Sequence, residues 1–461
     1  MTIEDPKPYQ QAWLRLSARI SEGVSAPSEF PVAERNMTGR SVAFSSSGNL
    51  AFCAGIAASG LRASAWCGRK QFSENVNTLK QIVRMQQPMV LVADTAQAKQ
   101  LMDTGAFVLL ASTVQELLDL TIIAHRAAEL SLVPGVVVFH SDEEQEPIFP
   151  QDQALLHYLG DADDRISVPT PAQEILFGKS RRRIPREFNM DIPLLMGASK
   201  SDKGRFYEVA AQKAFISSHL NSILEQAFSE FEGVFGRTYR PFQAKDAERA
   251  ELILFHDELR NYTLGQGLRA KSRIGNIMLK QLAPLPEKLM AQCEKAGRLI
   301  VIEHTAEGGA LLFSKVCEAF SNRSVCINSA LYIEAPSVEA MQLLVEKVQT
   351  NSNLQNPIWI DIPFVNEASA FPKKQVLQQV VKREYPNLPN PLQKRASTQT
   401  DTIRFPERIP LALRKYGDHG PAHSRLAGFF DNTAFFYNTE SAEWTADPFQ
   451  AMPTMPPATA A

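Results

Sequence analysis

The stretch from Thr104 to His140, TGAFVLLASTVQELLDLTIIAHRAAELSLVPGVVVFH, constrains the fold more than any other part of the chain. Phe107–Ala111 is a short, continuous apolar run, the pattern of a strand buried on both faces. Ser112 followed by Gln115 fits a capping box, so a helix is expected to start there and run to about Leu130. Leu117, Leu118, Ile122 and His125 keep its helical spacing. Pro134-Gly135 ends that segment, and the β-branched run Val136–Phe139 reads as a second buried strand. A helix joining two such strands is the unit that builds a parallel sheet.

The same alternation extends in both directions. SVAFS (41–45) reads as a buried strand, followed by Ser46-Ser47-Gly48 and the Ala/Gly-rich helix NLAFCAGIAASG, whose small residues allow close backbone approach. QFSENVNTLKQIVRM (71–85) has helical spacing, MVLVA (89–93) is a strand and Ala96–Met102 a helix. After Ser141 the text is polar and proline-rich to about Lys203, a long connection with one short helix near Ala154–Leu159. Within it KSRRRIPR (179–186) reads as a solvated basic loop, with docking to an acidic partner as the alternative. Phe206–Phe235 is a long amphipathic helix or helix pair.

A second alternating series follows. Its strands are AELILFH (250–256), SRIGNIML (272–279), RLIVIEH (298–304), SVCINSALYIE (324–334) and IWIDI (358–362). Its helices are Pro286–Ala296, Leu311–Phe320, Val338–Gln349 and Gln375–Arg383. The expected fold class is therefore α/β, a doubly wound parallel sheet followed by a second, smaller α/β domain and an extended C-terminal arm. The expected boundaries are 1–200 for the first domain, 201–245 for an interdomain helical region, 246–365 for the second domain, and 366–461 for a helix plus a proline- and aromatic-rich docking arm. Phe429, Phe430, Phe435, Phe436, Tyr437, Trp444 and Phe449 crowd this arm. Such density argues for packing against the body or a partner chain, because a solvated tail would not carry it.

At 461 residues two or three domains are expected. The net charge of −2 gives no footprint for nucleic acid. The longest apolar run is broken by His125, Arg126, Glu129 and Pro134, so no membrane span is expected. The charged N-terminus lacks an apolar signal core, which points to the cytoplasm. Cys53, Cys67, Cys293, Cys317 and Cys326 form no CxxC pair, so no iron–sulfur cluster or zinc site is expected on this chain. His125, His140, His256 and His304 sit on or beside apolar elements and read as hydrogen-bonded structural histidines. A ligand role is the alternative for His304 beside Gly308-Gly309. His419 and His423, with Asp418, have metal-ligand spacing, although a polar surface turn accounts for them as well.

Four segments, in order, resemble the 2-oxoacid oxidoreductase family typified by pyruvate:ferredoxin oxidoreductase. They are Gly48–Gly60, Thr104–His140, Ile192–Lys213 (IPLLMGASKSDKGRFYEVAAQK) and Asp246–Phe320, the last with Gly308-Gly309-Ala310 at a helix start. They extend over well more than half of the chain. The resemblance implies an alpha-type module: a thiamine-fold-like pyrimidine-binding domain followed by a transketolase-C-terminal-like domain. In that family the module forms one wall of the thiamine diphosphate and 2-oxoacid site. The diphosphate–Mg²⁺ half and the [4Fe-4S] clusters lie on other domains.

The chain departs from the family at three places. The Glu that activates the aminopyrimidine, two residues before the glycine matching Gly48, is Ser46 here; a neutral hydroxyl cannot serve as that proton relay. The substrate-clamping Arg and its loop after the strand matching Met89–Ala93 are replaced by a shorter connection with Asp94 near the Arg position, where a carboxylate would repel a 2-oxoacid. The N-terminal Tyr-Pro-Ile-Thr-Pro-like motif has no equivalent in residues 22–40. The expectation is a module with no catalytic residues and no metal ligands of its own, its cofactor cleft degenerate near Ser46, Gly48 and Asp94. It would serve as a structural subunit of a cytoplasmic electron-transfer complex, as a homodimer or hetero-oligomer with thiamine-binding beta-type, flavin or iron–sulfur chains. A sulfite-reductase-like setting is suggested by family analogy. Two alternatives stand beside it: an active subunit of a thiamine-diphosphate- and Mg-dependent 2-oxoacid:ferredoxin oxidoreductase, and a small-molecule-binding regulator that reuses the cleft.

Overall fold

In a computed structural model of the chain, the described residues are 6–27, 33–68, 72–93, 96–139, 146–186, 197, 199–268, 273–293, 295–304, 310–333, 335–350, 357–360 and the backbone of three later strands. Internal contacts divide the chain into two units, 1–361 and 362–461. The first unit opens with α1 (Pro8–Ile20), β1 (Gly23–Ser25), β2 (Ala43–Ser45), α2 (Leu50–Ala58), β3 (Ala63–Cys67), α3 (Phe72–Arg84) and β4 (Val90–Ala93). A 3-10 helix (Ala96–Asp103), β5 (Phe107–Ala111), α4 (Val114–Ser131) and β6 (Gly135–Phe139) follow. The connection then forms α5 (Asp152–Leu159), β7 (Arg165–Ile166), α6 (Pro171–Phe177), β8 (Arg181–Arg182), α7 (Asp202–Ala211) and α8 (Leu220–Phe235).

The second series comprises β9 (Phe242–Lys245), β10 (Leu252–His256), α9 (Leu259–Gly265), β11 (Ile274–Leu279), β12 (Gln281–Ala283) and α10 (Leu289–Gln292). It ends with β13 (Arg298–His304), α11 (Leu311–Ala319), β14 (Cys326–Tyr332), α12 (Val338–Thr350) and β15 (Ile358–Trp359). In the other unit, β16 (Ser424–Phe430), β17 (Thr433–Asn438) and β18 (Glu443–Thr445) make an antiparallel three-stranded sheet. Six of the aromatic residues singled out in the sequence fall on these strands. Their side chains, Phe449 and the expected helix 375–383 lie outside the described residues.

The first sheet has the order β12-β5-β6-β4-β3-β1-β2. All its pairs are parallel except β12 with β5. Its central strands are buried on both faces because alternate side chains enter different cores. Val90, Val92, Phe107, Leu109, Val137 and Phe139 join the cluster of α1, α4 and α8. Leu91, Ala93, Val108, Leu110, Val136 and Val138 join the cluster of α2, α3 and α11. This is the doubly wound α/β sheet expected from the sequence. The second sheet, β15-β14-β13-β10-β11-β9, is parallel except for its edge strand β9. The two series interlock, since β12 leaves the second to pair with β5 and Lys280 beside it reaches Glu116 of α4 at 2.5 Å.

Several local expectations change. β2 is an edge strand with exposed and half-exposed positions, not a buried one. The cap of α4 is Thr113, one residue later than expected. Its hydroxyl accepts from Glu116 N at 3.1 Å, and Glu116 returns the bond to Ser112 N at 2.7 Å. The helix expected over 286–296 shortens to the single turn of α10. The basic run is not a solvated loop: Arg181 and Arg183 are buried. Arg181 donates to the carbonyls of Glu129 (2.6 Å) and Leu130 (3.0 Å), the open end of α4, where a cation also suits the helix dipole.

Beneath that end lies a fully buried ion pair. Arg62, just before β3, grips Glu129 of α4 through Nε–Oε1 at 2.5 Å and Nη2–Oε2 at 3.0 Å. Its remaining N–H groups donate to Ile20 O (3.1 Å) and Gly160 O (3.1 Å), the ends of α1 and α5. Breaking a pair of this kind from one side strands a buried charge. We expect Arg62→Met or Glu129→Gln to cost about 3–5 kcal/mol in denaturant unfolding, and the double variant Arg62→Met/Glu129→Leu to recover part of that loss. A loss below about 1 kcal/mol in both single variants would contradict the role assigned to the pair.

Candidate functional site

Open parallel sheets bind ligands outside the carboxyl ends of their strands, and Ser46 and Gly48, two of the positions singled out in the sequence, follow β2 at that edge. The parallel register sets Ser25 of β1 beside Ser45 of β2 and Ala65 of β3, and Cys67 beside Ala93 of β4. In the order β4-β3-β1-β2, the turn after β2 lies three strand spacings, about 14 Å, from the end of β4. Asp94, which follows β4, lies outside the described residues, as do His140, Gly308, Gly309, Asp418, His419 and His423.

The β2–α2 turn is built by hydroxyls and amides. Gly48 takes φ +63°, and a Cβ there would stand 3.0 Å from the Pro27 ring. Glycine suits both demands. Asn75 of α3, nearly fully buried, clasps the turn from below: its Nδ2 donates to Gly48 O (3.1 Å) and its Oδ1 accepts from Leu50 N (3.1 Å). Asn49 caps α2 by accepting from Ala51 N at 2.8 Å. Ser45 and Ser47 share a 2.8 Å hydroxyl contact. Ser46 is exposed. Among the described residues no carboxylate hydrogen-bonds to this turn, so it can orient a polar ligand but offers no group that exchanges a proton at neutral pH. The sequence marked Ser46 and Gly48. It did not mark Asn75, which comes from the next helix and carries no local signal.

A second polar group, missed in the sequence, lies at the carboxyl edge of the second sheet. Asp257, directly after β10, accepts from His304 N (2.8 Å) and from the Tyr332 hydroxyl (3.1 Å). Burial, reinforced by Asp257, pushes the Tyr332 phenol far up, so it stays a donor. Glu303 accepts from Leu312 N and Phe313 N, both at 3.0 Å, and so caps α11 from the neighbouring strand. The signal available was an Asp at a strand end beside two more strand-end polar residues. Among the described residues no three His, Cys, Asp or Glu side chains gather in a way that could hold a metal ion.

His125 and His256 serve packing. His125 Nε2 meets Ser64 Oγ at 2.8 Å, and Ser64 continues to Ser21 at 2.8 Å. Burial, then the Arg62 charge, holds His125 well below the usual imidazole range. His256 Nε2 meets Asn276 Oδ1 at 2.9 Å under Gly265, where a Cβ would come within 2.8 Å of that nitrogen. Burial brings His256 down to about 4 from 6.5. Both imidazoles are therefore neutral in the fold. Between pH 6.5 and about 4 the unfolded chain binds protons that the folded chain refuses, so stability falls as pH falls through that window. His256 alone accounts for about 3 kcal/mol of this loss. Urea titrations at pH 7, 5.5 and 4.5 should show the decline, and His256→Gln should flatten it. A wild-type stability that does not change would contradict the neutral assignment.

The thiols sort by burial. Cys53 and Cys293 are buried and pushed up to about 12, chiefly by desolvation, while Cys326 is exposed. Ellman's reagent at pH 8 should modify Cys326 at once, Cys317 more slowly, and Cys53, Cys67 and Cys293 only after unfolding. Prompt labelling of Cys53 would mean that α2 does not stay closed on β3.

No family model matches the chain. The pyruvate synthase subunit PorA of Pyrococcus furiosus is 24% identical over 282 residues, a match covering 56% of this chain and 66% of that subunit. The chain thus spans slightly less than two thirds of its relative. Among solved structures, the 2-oxoglutarate:ferredoxin oxidoreductase of Magnetococcus marinus, determined with 2-oxoglutarate, coenzyme A and succinyl-CoA bound, superposes with a TM-score of 0.44 at 13% identity. That superposition covers 75% of this chain and 64% of that one. None of the described helices is long and apolar enough to cross a membrane. In sequence, the chain is thus similar to a pyruvate synthase subunit over a little more than half of its length.

Proposed function

We propose that this chain is a non-catalytic alpha-type subunit, one that keeps the family's scaffold as architecture for a multi-subunit electron-transfer complex. The observation that carries the reading is the β2–α2 turn. Where the family resemblance places the carboxylate that activates thiamine, Ser46 stands exposed, and hydroxyls and amides supply the turn's hydrogen bonds. The hydroxyls and amides of this turn therefore do not fit a thiamine-activating site. What the turn retains is structural: the Gly48 conformation, the Asn75 clasp and the α2 cap that hold the sheet's carboxyl edge in shape. PorA is itself named as a subunit, which supports a role beside other chains. Thiamine-binding beta-type, flavin or iron–sulfur chains are the partners proposed, with a sulfite-reductase-like complex in the cytoplasm as one setting.

The test is turnover by the chain purified with whatever associates with it. Supplied with thiamine diphosphate, Mg²⁺, coenzyme A and either pyruvate or 2-oxoglutarate, it should reduce methyl viologen no faster than a control lacking the 2-oxoacid. Reduction that requires both the 2-oxoacid and thiamine diphosphate would overturn the reading and make the chain part of an active oxidoreductase.

A further inference from the structure

α7 is amphipathic the wrong way round. Its buried position is the charged Glu208, which accepts from Arg84 Nη2 at 2.8 Å, and one turn on the buried Gln212 donates to Arg84 O at 2.5 Å. Its large apolar residues face solvent instead. Phe206 is 76% exposed, Tyr207 57%, Val209 52% and, in the π-turn that follows, Phe215 55%. Phe206 and Val209, three residues apart, share one helix face with Lys213 and form an exposed apolar strip of the kind that marks an interaction site. The patch continues into a cleft of about 880 Å³, which Val209 and Lys213 border and whose floor includes Val83, Leu282 and Leu285.

The charge around this surface decides what can cover it. Lys80, Lys203 and Lys213 are exposed and have no ion-pair partner among the described residues. Arg205 faces Asp202 within the helix at 3.4 Å, and Lys315 at the far lip of the cleft holds Asp103 at 2.7 Å and Glu318 at 3.6 Å, so the free positive charge lies on the Lys80–Lys213 side. A second copy of the chain laid on this face would set one uncompensated cationic rim against another, a costly arrangement in an interface. An acidic partner meets no such penalty.

We propose that α7 and its cleft are the docking surface for an acidic amphipathic helix of a different protein chain, with its apolar face on Phe206 and Val209 and its carboxylates toward Lys80 and Lys213. Helix-in-groove recognition needs this combination of an apolar trough and flanking charge. The proposal concerns a surface away from the β2–α2 turn and stands whether or not the chain retains catalysis.

The test uses the full chain and two synthetic helical peptides, measured by fluorescence anisotropy. One carries Leu and Phe along one face with Glu on the flanks; in its twin each Glu is Lys. The acidic peptide should bind, weaken as salt rises, and lose about tenfold or more in affinity with Phe206→Asp or Val209→Asp. Lys213→Glu should weaken it and flatten the salt dependence. These side chains are exposed, so the variants should melt like wild type, and Leu343→Asp, at an exposed apolar position on α12, should leave binding unchanged. Absent binding, equal binding of the basic twin, or indifference to Phe206→Asp would overturn the proposal. So would a wild-type dimer that Phe206→Asp dissociates, because the occupant would then be a second copy.

Discussion

The pairing of Arg62 with Glu129 is the contact on which the first sheet depends. Two charges removed from water are costly, and their attraction compensates only when every remaining donor and acceptor is used. Here the guanidinium bonds the carboxylate in two places and caps the ends of α1 and α5. Glu22 accepts the Arg62 backbone N–H at 2.8 Å, and Asn36 donates to Glu22 at 3.0 Å, so the segment between β1 and β2 is held to the same hub. Arg181 caps α4 just above it. These contacts lie at the amino ends of the strands. The carboxyl edge, where Ser46 sits, is built from a fixed base and can change its residues without loosening the sheet.

On the proposed reading, this division would let a scaffold outlast its chemistry. A buried pair tolerates no single substitution cheaply, whereas an exposed position such as Ser46 can exchange a carboxylate for a hydroxyl with little effect on folding. Gly48 and Asn75 behave like the hub: one holds a positive φ, the other satisfies two backbone groups. A relative that ceased to activate thiamine would be expected to keep these and to vary Ser46.

The strands and the helix of Thr104–His140 were legible because their pattern is local: continuous apolar runs, helical spacing and a Pro-Gly break. The same holds for β10, β13 and β14. The readings that shifted depend on distant partners. β2 carries a strand pattern, but its edge position follows from β1 pairing with β3 on its other side. The basic run looked solvated because nothing near it in sequence tells that Arg181 will meet the open carbonyls of α4. β12, with three residues and a neighbour in the other sheet, has no local signature. α7 reads as an ordinary amphipathic helix until the structure shows which face is buried. At the candidate site, Ser46 and Gly48 were legible through the resemblance, while Asn75, Asp257 and Tyr332 enter only through tertiary placement.

The proposed reading holds that the turn after β2 lacks a group to engage thiamine while the scaffold around it is kept. Its most direct measurement is titration calorimetry of thiamine diphosphate with Mg²⁺ into the chain, purified with its associated subunits, for wild type and for Ser46→Glu. The account predicts no heat of binding for wild type, with both forms melting alike. Saturable binding to wild type that Ser46→Glu leaves unchanged would contradict it, because the cleft would then hold the cofactor without the carboxylate the account says is missing.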